Sequence, residues 1–123
     1  MSFLALDVGN KRVWVAYSIE RIALPYKIIP RVEIIKELKK IISEKAIKSI
    51  VIGIPYTNTG LSKQALKIKE FSNKLVEVFP EISFHFVDER FTTAIPRREI
   101  WWDELIDLLS AQMILESYLS QIK

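Results

Sequence analysis

The chain has 123 residues, of which 50% are hydrophobic and 27% charged, with a net charge of +3 and no cysteine. These values describe a folding chain with one core, and they exclude a disordered tail, a disulfide scaffold, thiolate catalysis and a cysteine-based zinc site. The small positive excess permits a nucleic-acid partner without requiring one.

Residues 3–8 (FLALDV) are apolar at nearly every position, as in a strand covered on both faces. The stretch reads as neither a signal peptide nor a membrane span, because Asp7 interrupts it after a few residues. A Gly9-Asn10-Lys11 turn leads into Arg12–Ser18, rich in β-branched and aromatic side chains. A third extended segment, Ile22–Ile29, contains Pro25 and stops at Pro30, which suits the edge of a sheet. A first helix is expected from Arg31 to Ala46, with Ile34, Ile35, Leu38, Ile41 and Ile42 on one face. Ser49–Ile54 reads as a further buried strand, and Pro55–Leu61 as a loop with Ser62 as the cap of a second helix. That helix carries Ala65, Ile68, Phe71, Leu75 and Phe79 at helical spacing and ends at Pro80. Ser83–Val87 is a fifth strand, and the last helix is expected over Asp103–Ile122, with a possible start at Pro96.

Three strands with short links predict an antiparallel meander, and the later strand–helix alternation predicts parallel additions with crossover helices. The expectation is one α/β domain over residues 1–123, built on a single mixed sheet with helices on both faces.

Four acids stand out in this order of elements. Asp7 closes an apolar strand just before a glycine turn, where an unpaired buried carboxylate would be costly. Asp88 and Glu89 end the fifth strand in the same way, and Asp107 lies in the last helix beside small residues, Ser110 and Ala111. Acids from one sheet edge and one packed helix would form an oxygen-rich cluster suited to Mg²⁺ or Mn²⁺. Such ions activate water and stabilise a leaving oxygen in phosphodiester cleavage. Each acid also has a plainer role open to it: a turn acceptor at Asp7, a surface ion pair for Glu89, a helix-end charge at Asp107.

Four motifs, in order, carry a family resemblance: LALDVGNKRVWVA, IVIGIPYTNTG, VDERFTTA and DLLSAQMILESYL. Together they resemble the YqgF/RuvX family of Holliday-junction-resolvase-like proteins, which are linked to pre-16S rRNA processing. The resemblance implies an RNase H-like fold of order β-β-β-α-β-α-β-α and a metal-dependent nuclease activity, and the absence of cysteine fits a reducing cytoplasm. By position it implies Asp7, Glu89 and Asp107 as the catalytic and metal-binding acids, with Asp88 in reserve. The chain departs from the family pattern at Trp14, where glycine is usual, at Asn10, where threonine is frequent, and in the short stretch Ile95–Asp103. Family members carry a longer basic section at that last place.

Lys11, Arg12, Arg90, Arg97 and Arg98 are the candidate phosphate contacts beside the acids. Trp101 and Trp102 are read as core or subunit contacts before base-stacking rings, and His85 as a packed residue. The leading function is hydrolysis of phosphodiester bonds in structured RNA or DNA by a monomer or homodimer, away from membranes. The alternative is a binding module for nucleic acid or the ribosome that keeps the fold without efficient catalysis, prompted by the short stretch before the last helix. A two-lobed phosphotransferase is excluded by length, and no Walker or G-x-G-x-x-G loop is present.

Overall fold

A computed structural model describes residues 3–20, 22–54, 63–88 and 103–121, with backbone alone for Asp88, for 103–110 and for Gln121. The elements run β1 (Phe3–Val8), β2 (Arg12–Ile19), β3 (Ile22–Pro30), a 3₁₀ turn (Arg31–Glu33), α1 (Ile34–Lys45), β4 (Ser49–Ile54), α2 (Lys63–Val78), β5 (Ser83–Asp88) and α3 (Asp103–Gln121). Their order is the one expected from hydrophobic period. The positions assigned to Ser62 and Pro96 lie outside the described residues.

The strands form one sheet in the order β3-β2-β1-β4-β5. β1 and β2, and β2 and β3, pair antiparallel, whereas β1, β4 and β5 are parallel neighbours. β3 takes the edge, where Pro25 removes no interior ladder bond, and the β2–β3 register shifts between Val15 and Ala16, where Pro25 pairs. Because β1, β4 and β5 are parallel, their carboxyl ends share one edge of the sheet.

Strand alternation sends side chains to two different faces. On one, Leu4, Leu6 and Val8 of β1 join Ile50, Ile52 and Ile54 of β4, and α1 and α2 cover them with Ile34, Leu38, Ile41, Ile68 and Leu75. On the other, Phe3, Ala5, Ala16, Ala23, Val51 and Val87 meet Ala111, Ile114, Leu115 and Leu119 of α3. The apolar stripe of α1 is narrower than its periodicity predicts, since Ile35 is 38% exposed. Phe79, just past α2, is buried as its spacing indicates, and its N–H closes the helix end on the Leu75 carbonyl at 2.9 Å.

Candidate active site

Asp7 takes its position from the pleat. Phe3 and Ala5 point to the α3 face, so Asp7 continues that row at the carboxyl end of β1, where it is half-buried. Its partner across the antiparallel ladder is Trp14. Directly opposed residues share a face, so the indole stands beside Asp7 and packs onto the α3-side core. The ring reaches over the turn as well: a Cβ at Gly9 would lie 2.7 Å from Trp14 Cζ3 and 2.9 Å from the Arg12 carbonyl oxygen. Glycine is therefore required under this indole. The Trp14 Nε1–H is buried and has no hydrogen-bond acceptor among the described residues.

The turn after Asp7 is closed by the Gly9 N–H donating to the Arg12 carbonyl at 2.8 Å. Lys11 and Arg12 are exposed on it, as their reading as phosphate contacts requires. Arg31 fastens the same turn from outside: its guanidinium donates to the Gly9 carbonyl at 3.1 Å and its N–H to the Lys11 carbonyl at 2.9 Å. The sequence marked Arg31 only as the start of a helix. No local signal announces its contact with residues so far back in the chain.

Extending the ladder from Leu6–Ile52 puts Asp7 level with Gly53, which in turn pairs with Val87 on β5. Two strand spacings separate Asp7 from β5, about 10 Å. Gly53 between them contributes no side chain. Asp88 pairs with Ile54 and falls in line with Phe84 and Phe86, on the opposite phase of the pleat from Val87 and Asp7. Glu89, Arg90, Arg97, Arg98, Trp101 and Trp102 lie outside the described residues.

Asp107 belongs to the first half of α3. It precedes by one turn Ala111, which is fully buried on the sheet, and the same stripe continues through Ile114, Leu115 and Tyr118. Tyr118 packs edge-on against Phe3 at 5.5 Å and stacks at a tilt on His85 at 4.8 Å. His85 is thus a packed ring, as expected. Gln112 anchors α3 to the β3 edge of the sheet, its amide donating to the Ala23 carbonyl at 3.0 Å. Among the described residues no three acids or histidines converge, and of the acid trio only Asp7 has a described side chain. With no cysteine in the chain and its one histidine packed on Tyr118, the remaining donors are hard oxygens, which fit Mg²⁺ or Mn²⁺.

A mixed sheet in this order, with helices on both faces and an acid at the end of its central strand, defines an RNase H-like fold. The solved structure of Thermus thermophilus RuvC in complex with a Holliday junction substrate superposes with a TM-score of 0.67 at 10% identity, covering 98% of this chain and 94% of that one. The family described as "RuvX: Holliday junction resolvase" matches residues 1–121, and the chain belongs to that family. A Sulfurihydrogenibium protein is 36% identical over 97% of this chain and 90% of its own length. A Fusobacterium nucleatum protein is 33% identical over 98% of both chains. Both carry the name "Putative pre-16S rRNA nuclease". Family membership makes the chain a nuclease, a hydrolase of phosphodiester bonds. No described helix is long and apolar enough to cross a membrane.

Proposed function

We propose that the chain hydrolyses phosphodiester bonds in structured nucleic acid with Mg²⁺ or Mn²⁺, either at the 5′ end of precursor 16S rRNA or at branched DNA. Asp7, Glu89 and Asp107 would hold the metal. The observation that carries this reading is Asp7: a half-buried carboxylate at the carboxyl end of the central strand, on the face covered by α3. Glu89 is taken as its partner from β5 on the family resemblance, and Asp88 is out of phase with Val87, the β5 residue level with Asp7. The helical stripe through Ala111 supports Asp107 as the third. A divalent ion supplies charge neutralisation at the scissile phosphate and lowers the pKa of a bound water.

The protein's own part is to place the carboxylates, exclude bulk water and hold the backbone. Ala5, Ala16, Ala23 and Ala111 let α3 lie close on the sheet, and the Trp14 indole screens Asp7 from the side of β2. Water adds to phosphorus as the bond to the leaving oxygen breaks, and that oxygen takes up a proton, so no covalent enzyme intermediate forms. Lys11 and Arg12, with Arg90, Arg97 and Arg98, would hold neighbouring phosphates. The enzyme would work in the cytoplasm as a monomer or homodimer.

The test is cleavage of a labelled four-way DNA junction, a single-stranded RNA and a precursor-rRNA 5′ fragment, in Mg²⁺, Mn²⁺ and EDTA. Asp7→Asn is expected to lower the rate at least about a thousandfold, on the order of 4 kcal/mol of transition-state stabilisation. If the three carboxylates cluster as proposed, its melting temperature should hold or rise, because the variant would relieve their like-charge repulsion. Cutting at an unchanged rate in Asp7→Asn would remove Asp7 from the mechanism. Metal-independent binding without any cutting would favour the binding module instead.

A further inference from the structure

Beside the turn that follows Asp7, on the side of α1 and α2, lies a concavity of about 550 Å³. Lys11 from the turn, Arg31 ahead of α1, and Lys67 and Lys74 on α2 line it, with Glu70 the only acid among its described lining residues. Four cations against one acid give the described lining a net +3, as much as the whole chain carries. These residues come from three separate segments, and no periodicity in the sequence links them.

Arg31 distinguishes this surface from scattered solubilising charge. Its guanidinium is fixed at both ends, donating to the Gly9 carbonyl at 3.1 Å and lying 4.7 Å over the Phe71 ring. One of its five N–H donors serves Gly9, which leaves others for a ligand already in position. Lys67 and Lys74 sit two helical turns apart on the exposed stripe of α2, about 10.5 Å along the axis. A nucleic-acid strand advances about 3.4 Å per charge, so that run spans about three phosphates.

We propose that this basic concavity holds the phosphodiester backbone of the nucleic-acid strand as it passes over the Gly9–Arg12 turn and away from the catalytic edge. The proposal deepens the nuclease reading and rests on it for the direction of the strand. Arg31 is the fixed anchor, and Lys11, Lys67 and Lys74 are mobile point charges around it. Glu70, on the α2 stripe between Lys67 and Lys74, limits how tightly a small free anion is held and favours a polyanion that reaches several cations at once.

The experiment measures binding of the full chain in EDTA to a labelled single-stranded RNA and to a labelled four-way DNA junction, across a salt series. Lys67→Glu/Lys74→Glu is compared with Lys36→Glu/Lys40→Glu, which reverses two exposed lysines of α1 outside the concavity. The groove pair is expected to weaken binding at least about tenfold and to lower the slope of log affinity against log salt by about 1.5 to 2. Lys67→Gln/Lys74→Gln should give a smaller loss with the same change of slope, and the wild-type melting temperature in either pair excludes misfolding as the cause. An unchanged affinity and slope overturns the proposal, as does an equal loss in the α1 pair or an absence of binding by the wild type. Cleavage in Mn²⁺ by the same proteins separates the two readings. A wild type that binds through the concavity but does not cut keeps the groove and removes the nuclease. A groove pair that binds and cuts normally keeps the nuclease and removes the groove.

Discussion

The two faces of the sheet are built from different side chains. The face under α1 and α2 is filled with large aliphatics: Leu4, Leu6, Ile50, Ile52 and Ile54 are all fully buried. The face under α3 uses Ala5, Ala16 and Ala23 on the sheet and Ala111 on the helix. Burial of branched side chains supplies most of the hydrophobic free energy, about 1.5–3 kcal/mol per large residue. Alanines supply little of it, but they let a helix approach the sheet. The acid at the end of β1 lies on the alanine face. With the proposed site at Asp7, stability and chemistry would fall on opposite sides of the same strands, so that a half-buried carboxylate is tolerated without thinning the main core.

That division can be broken from either side. Ile52→Ala removes a fully buried side chain from the aliphatic face and is expected to cost about 2–5 kcal/mol. In a thermal melt this is a fall on the order of 10 °C, with the cleavage rate below the transition nearly unchanged. A large loss of rate in the folded variant would show that the two faces are coupled. Ala111→Leu acts in the opposite sense. It forces extra methylenes between α3 and the sheet, at about 1–3 kcal/mol, and should lower cleavage more than stability because the displaced helix carries Asp107. Normal turnover in Ala111→Leu would mean that close approach of α3 is unimportant.

The smallest expected effect sharpens the comparison at the site. Trp14→Phe keeps an aromatic ring beside Asp7 and over Gly9 but removes a buried N–H that has no acceptor among the described residues. The lost area and the removed unpaired donor should nearly cancel, leaving stability within about 1 kcal/mol of wild type in denaturant unfolding. A loss of 3 kcal/mol or more would reveal an acceptor for the indole.

His85 and the helices illustrate how far a linear reading extends. A ring alternating with Phe84 and Phe86 in a strand reads as packed, and it stacks on Tyr118. Ala65, Ile68, Phe71 and Leu75 read as the buried stripe of α2 from spacing alone, and all four are buried. The lysines of that helix lie on its solvated face. Lys67 and Lys74 are exposed, but they face Arg31 and Lys11 across a concavity. The candidate acid Asp7 was visible because a carboxylate in an apolar strand conflicts with its surroundings. A lysine on a helix surface conflicts with nothing.

By itself the sequence determined the order of elements, the edge position of the proline-bearing strand, the Gly9 turn and the acid before it. Each follows from local physics: a period of two or 3.6, a missing N–H at proline, a Cβ that would collide. Only the tertiary structure decided that β4 lies between β1 and β5, so that Asp7, Gly53 and Val87 stand level on one face and Asp88 falls out of phase. It also decided that Arg31 bridges the β1–β2 turn and α2. Strand pairing and helix docking are contacts between distant segments, fixed by the joint burial of both faces, and no window of sequence contains both partners.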